Sequence, residues 1–227
     1  MAGTLVSFAS NGGTTTGYLA APAKGAGPGV IVIQEWWGLV PHIKSICDRF
    51  AAEGFTALAP DLYHGKATTS PDEAGRLMMA LNIGRVAKDL NGAVTFLLGQ
   101  PSTAGAHKVG VVGFCMGGQL ALYAACENPA IGACIDIYGI HPNVKPRLAG
   151  LRAPVLGIFG EQDGSVNPTV VRKLEADLKK AGKTTDFMIF PNVGHAFFND
   201  TRPEVYHKES AMKAWQKSCA FFRQHLS

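Results

Sequence analysis

The sequence lacks any long hydrophobic run: its uninterrupted apolar stretches, such as Val30–Ile33 and Val109–Val112, fall far below the ~18 residues of a membrane-spanning helix. No membrane partner is expected. No Lys or Arg precedes Lys24, so the charged start of a secretory signal is missing and a cytoplasmic location is expected. Charged residues make up only 17%, and the formal charge of +4 is spread along the chain rather than clustered, which gives no nucleic-acid footprint. Cysteine is sparse. The five present (Cys47, Cys115, Cys126, Cys134, Cys219) include no Cys-x-x-Cys pair, which argues against a zinc or redox couple and leaves buried reduced thiols as the default for most of them.

What is present is apolar: 47% hydrophobic residues in a chain of 227, enough for one large core, with no linker or repeat to divide it. A single domain over 1–227 is expected. Short apolar runs alternate with longer segments of helical period, the pattern of β-α units on a mostly parallel sheet. The expected strands are Gly29–Gln34, Thr56–Ala59, Lys108–Val112, Ala133–Tyr138, Val155–Phe159 and Phe187–Phe190. Before them, Thr4–Phe8 and Thr14–Ala20 flank Asn11-Gly12-Gly13, a hairpin signal that adds antiparallel strands to one edge. Helices are expected at His42–Glu53, as one long element within Pro71–Leu98, at Met116 to about Cys126, at Pro168–Ala181, and at the C-terminus. The fold class is α/β, a doubly wound, mostly parallel sheet of α/β-hydrolase type with an N-terminal antiparallel hairpin.

The chemistry centres on Gly113-Phe114-Cys115-Met116-Gly117, which follows a strand and opens a helix. This is the spacing of a nucleophile elbow with Cys in the middle: the sharp turn lifts the side chain above the sheet, and flanking glycines remove Cβ atoms that would collide. The helix N-terminus favours a thiolate and the oxyanion that its attack creates. A Gly-rich turn binding a nucleotide phosphate is the rival reading, but these glycines do not have the Gly-x-Gly-x-x-Gly spacing. A cysteine nucleophile needs a base and an orienting acid, which in this fold follow it in the order acid, histidine. Asp163 lies just past the strand ending at Phe159, and His195 just past the one ending at Phe190. Both fall at carboxyl ends of strands, where open parallel sheets place their sites. Taken alone, Asp163 is better explained as a cap for the helix near Pro168, and His195 as a solvated loop residue; it is the ordered set of three that points to a triad. Glu35 and Trp36, in Gln34-Glu35-Trp36-Trp37-Gly38, end the third strand; the Trp36 and Met116 N–H groups are the candidate oxyanion donors.

With these residues in view the chain resembles the dienelactone hydrolase family of α/β-hydrolases. The likeness rests on Gln34–Gly38, Ala59-Pro60-Asp61-Leu62-Tyr63, Gly113–Gly118, Gln162-Asp163 and Gly194-His195-Ala196-Phe197. The resemblance implies a triad of Cys115, Asp163 and His195, with Glu35 pairing with the thiol or drawing off its proton. It also implies cleavage of an enol-lactone through an acyl-enzyme without metal or cofactor. In one respect the chain departs: family members specific for dienelactone hold the lactone carboxylate with arginines, one of them four residues after the catalytic His, and that position here is Asn199. Arg76, Arg85 and Arg202 are the candidate replacements, and Tyr63, Phe114 and Phe198, with Trp36, are expected to line an aromatic pocket. The expected partner is a small ester or lactone; the chain is expected to be a monomer or weak homo-oligomer. The alternatives are a carboxylesterase or thioesterase acting on an unrelated substrate, and a non-catalytic ligand-binding module on the same fold.

Overall fold

The computed structural model describes residues 2–103 and 105–226. Asn11 and Gly12 both take positive φ, 52° and 75°. That is the requirement of a two-residue type I′ turn, and here it joins β1 (Thr4–Ser10) to β2 (Gly13–Ala20) as the hairpin expected from sequence. Six more strands follow: β3 (Gly29–Ile33), β4 (Thr56–Pro60), β5 (Val109–Phe114), β6 (Ile131–Ile137), β7 (Val155–Gly160) and β8 (Thr185–Phe190). They form one sheet in the order β1-β2-β4-β3-β5-β6-β7-β8, with β2 antiparallel to β4 and every pair from β4 to β8 parallel.

Parallel strands covered on both faces must be apolar at every position, and β3 shows the consequence. Val30 and Val32 pack under α1 (Pro41–Ala52) and the C-terminal helix α6 (Lys208–Leu226), while Ile31 and Ile33 face the opposite layer. That layer holds α3 (Ile83–Leu98), α4 (Met116–Glu127) and the inner side of α5 (Pro168–Lys180). Burying each Val or Ile contributes about 1.5–3 kcal/mol, which is why these short runs sit in the centre of the sheet. The hairpin is tied to α3 by Asp89, a 2% exposed carboxylate that accepts from Ser10 Oγ at 2.5 Å and has His64 Nε2 3.0 Å from its other oxygen.

In one element the expectation is corrected. The single long helix anticipated within Pro71–Leu98 is two: α2 (Pro71–Met79) and α3. Each has its own cap, Ser70 Oγ accepting from the Glu73 N–H and Asn82 Oδ1 accepting from the Arg85 N–H, so capping chemistry at Asn82 outweighs continuous helical periodicity. The break matters for function because it carries Met78 of α2 into the cleft described next. Among the described residues no helix is long and apolar enough to cross a membrane.

Candidate active site

Five loops converge at the carboxyl edge of the parallel strands. The central one is the turn from β5 into α4, where Cys115 holds φ 54° and ψ −124°, a conformation rare for any residue with a Cβ. The backbone is pinned on both sides: the Cys115 N–H donates to the Ile137 carbonyl at 3.1 Å, and the Cys115 carbonyl accepts from the Gly118 and Ile140 N–H groups at 2.9 and 3.1 Å. A Cβ on Gly113 would overlap the Gly117 carbonyl, and one on Gly117 would come within 2.5 Å of the Gln34 carbonyl. Gly113→Ala is therefore expected to cost more than about 3 kcal/mol of stability in a denaturant titration, and a loss below about 1 kcal/mol would show that the turn relaxes freely.

His195, on the loop after β8, places Nδ1 2.7 Å from Asp163 Oδ2. Asp163 is held from the other side, its Oδ1 accepting from the Ser165 and Val166 N–H groups at 2.7 and 2.9 Å. It does not cap α5; Asn167 does, accepting from Thr169 and Val170. Burial pushes the Asp163 carboxyl up, but the hydrogen bond and charge of His195 with the two N–H groups outweigh it and leave it below its ordinary value. Burial likewise pulls His195 down, but its hydrogen bonds with Asp163 and Cys115 and the charges of both win, raising it to about 10. With Nδ1 engaged by Asp163, the contact with Cys115 falls to Nε2. The structure thus brings Cys115, His195 and Asp163 into one chain of contacts.

Glu35, expected beside them, is 1% exposed and lines the same cleft. Its Oε2 accepts from Asn199 Nδ2 at 2.8 Å and its Oε1 accepts from the Tyr138 hydroxyl at 3.4 Å. The site residue that sequence reasoning missed is Tyr138. It follows β6 with φ 41°, is fully buried, and packs its ring against that of His195, with centroids 5.0 Å apart and the planes tilted by 58°. Burial raises its hydroxyl well above the ordinary tyrosine value, with the charges of Glu35 and Cys115 adding to the effect, so it acts as a hydrogen-bond donor. The one sequence signal was Gly139 directly after it, a turn residue at the end of an apolar strand.

The cleft has a volume of about 250 Å³, and its walls include Trp36, Trp37, Met78, Ile140, Pro142 and Arg202 around Cys115 and His195. Among the described residues, no acceptor takes the backbone N–H of Trp36, which lines the cleft, or of Met116, which follows Cys115. The expected aromatic walls need correction. Phe114 and Phe198 are each 1% exposed, with ring centroids 5.3 Å apart, and belong to the core because their side chains point below the turn. Tyr63 lies behind the elbow, its hydroxyl directed at Met116 Sδ at 3.3 Å. Arg76 is exposed on α2, and Arg85 on α3 lies 4.0 Å from Asp89; neither lines the cleft. Of the candidate arginines only Arg202 reaches it, with Cζ 5.7 Å from the Trp37 ring.

The other four cysteines are buried, and burial pushes each thiol up, Cys126 to about 11 and Cys219 to about 12. One fast-reacting thiol of five is the expected result of an iodoacetamide time course on native protein, with the label found at Cys115. Two or more equally fast sites would contradict this burial pattern. Among the described residues no group of three or more His, Cys, Asp or Glu side chains is arranged to hold a metal.

Comparison with known proteins places this geometry in a family. The chain is similar to protein Usf of Aquifex pyrophilus, 40% identical over 99% of this chain and 100% of that one. It is 37% identical to an inferred carboxymethylenebutenolidase of Aquifex aeolicus, over 99% of each. A solved structure of an inferred dienelactone hydrolase from Klebsiella pneumoniae superposes with a TM-score of 0.87 at 30% identity, covering 99% of this chain and all of that one. The model of the dienelactone hydrolase family matches residues 15–226, which takes in the elbow, the Asp163 loop and the His195 loop alike; the chain belongs to that family and is a hydrolase.

Proposed function

We propose that this protein hydrolyses a small ester or lactone through an acyl-enzyme on Cys115, without a cofactor. The observation that carries the reading is the position of His195, bonded through Nδ1 to Asp163 at 2.7 Å and in contact on its other side with a thiol raised on a positive-φ turn. His195, raised to about 10, receives the Cys115 proton as the sulfur becomes the attacking thiolate. The sulfur attacks the carbonyl carbon, a C–S bond forms, and the oxyanion settles against the Trp36 and Met116 N–H groups. Collapse breaks the C–O bond, and the leaving oxygen takes the proton from His195 Nε2. Once the sulfur is acylated its charge no longer holds a proton on His195, so the neutral ring serves as base. It takes a proton from water; the resulting hydroxide attacks the thioester, and collapse returns the thiolate and imidazolium with release of the acid.

Arg202 supplies the fixed cation in the cleft, and this favours substrates carrying a carboxylate. Its Nε is engaged by Glu204 at 2.8 Å, so the guanidinium edge is left for the substrate. Arg202→Ala is expected to raise KM for an anionic lactone by roughly tenfold, the loss of one partly exposed charge-assisted contact, and to leave a neutral aryl ester within about twofold. Equal losses on both substrates would remove Arg202 from recognition. The reading as a whole is tested by initial rates on dienelactone beside a neutral aryl ester: turnover of either sustains it, and turnover of neither sinks it.

A further inference from the structure

β6 carries an anomaly. Ile131–Ile137 is apolar but for Asp136, which is 0% exposed in the middle of the sheet. It pairs with Gly113 of β5 on one side and Gly157 of β7 on the other, and shares the face of Cys134, turned toward α4. Neither carboxyl oxygen has a well-formed hydrogen bond among the described residues. Room for it exists because two neighbours are glycine: a Cβ on Gly118 of α4, or on Gly139 in the following turn, would collide with Asp136 Oδ1. An isolated buried carboxylate is costly, so burial here favours the neutral acid.

The place it occupies gives that acid a task. Gly118 and Gly139, which cradle it, belong to the two segments that pin the nucleophile: the Gly118 N–H and the Ile140 N–H both donate to the Cys115 carbonyl, and the Ile137 carbonyl accepts the Cys115 N–H. The same short turn holds Tyr138 at φ 41° and so presents its hydroxyl to Glu35 and its ring to His195. We infer that Asp136 is a positioning residue, whose neutral carboxyl wedges the β6 turn against the start of α4 and thereby fixes Cys115 and Tyr138, and whose ionisation loosens both. The inference rests on the reading of Cys115 as nucleophile.

The electrostatic surroundings agree. Burial raises the Asp136 carboxyl to about 7 against the opposing pull of the Gly139 N–H. Among the described residues no charged side chain faces it: β5 and β7 offer Gly113 and Gly157, α4 offers Gly118, and on its own strand the titratable neighbour is Cys134, whose thiol burial and then the Asp136 charge push up. The sign follows. Below about pH 4 the carboxyl is protonated both folded and unfolded; above that the unfolded chain ionises first, so stability falls as pH rises and levels off once the folded group titrates near 7.

Asp136→Asn keeps shape and removes the titration, so comparison of the two proteins isolates this group. The unfolding equilibrium constant of the wild type is expected to rise relative to that of the variant by about tenfold per pH unit between pH 4 and 7, the slope of a single proton. In ester hydrolysis the wild-type kcat is expected to fall above neutrality while KM is unchanged, and the variant is expected to keep its kcat over that range. Superimposable pH profiles of both stability and kcat would overturn the inference. A stability difference with no difference in kcat leaves Asp136 a structural acid and overturns the positioning role. If no ester turns over, the proposed activity fails by itself, and iodoacetamide capture of Cys115 across the same pH range then decides the positioning role. If Asp136→Asn does not fold, 13C NMR of the wild type labelled at aspartate carboxyls replaces the comparison: one carboxyl titrating near neutrality is expected, and none above the ordinary range overturns the inference.

Discussion

Replacing Cys115 by Ala is expected to lower kcat on any substrate the protein turns over by roughly 10⁴ to 10⁶, down to what the proposed oxyanion donors and binding alone supply. The expected loss is this large because among the described residues the remaining cysteines are buried, and the hydroxyl in the cleft wall belongs to Ser165, which has no histidine hydrogen-bonded to it and whose N–H is tied to Asp163. The fold is expected to survive. Cys115 is half-buried, and Ala fits the space it leaves, although a β-carbon at φ 54° keeps the local strain of the native turn. Thermal melts within a few degrees of wild type, beside a rate at background, are the expected pair of results. A variant that retains a tenth of the activity would exclude the cysteine mechanism.

The second large effect concerns the acid. Asp163→Asn is expected to lower kcat by about 10⁴, as loss of the orienting carboxylate does where the imidazole then adopts the wrong tautomer. Its charge also holds the proton on His195, so the variant should lower the pH at which His195 loses its charge from about 10 toward the ordinary histidine value. In the native protein the pair stabilises the fold over a window set by both partners. From the His195 side, the contribution is complete below the unfolded histidine value and is lost as pH rises through about 10. From the Asp163 side, it is present above the unfolded carboxylate value and lost as pH falls through the depressed folded one. NMR titration of His195 in both proteins checks this directly; an unchanged titration would remove Asp163 as the cause.

The parts of this site readable in the sequence are those fixed by local constraint. A five-residue elbow announces itself because the turn admits only glycine at Gly113 and Gly117, and loops at strand ends are countable once the strands are found. Asp163 and His195 could therefore be placed, 48 and 32 residues apart as they are in succession. The α2–α3 break was present as Asn82, a capping residue hidden in a periodic stretch. What failed was orientation. Phe114 and Phe198 are close to Cys115 and His195 in sequence, and Tyr63 follows a strand that ends at the same edge, yet side-chain alternation and the turn geometry carry them beneath the site, and only the assembled sheet shows this. Tyr138, signalled only by the Gly139 after it, escaped for the opposite reason: a bulky residue at positive φ contradicts local preference and is held there by the Cys115 turn and by Glu35. The cleft walls come from Met78, Ile140 and Arg202, which no local pattern relates. Asp136 stood in plain view as the one polar residue of an apolar strand, a signal whose meaning depends on the glycines packed against it.

The proposed covalent intermediate on Cys115 is tested most directly by intact-protein mass spectrometry of an acid-quenched reaction. Mixed with excess aryl ester and stopped within the first turnovers, the wild type should gain the mass of one acyl group, mapped by peptide digestion to Cys115 and absent from Cys115→Ala. Product formation at full rate, with no adduct on Cys115 at any quench time and with the adduct absent even when His195→Ala blocks deacylation, would contradict the account.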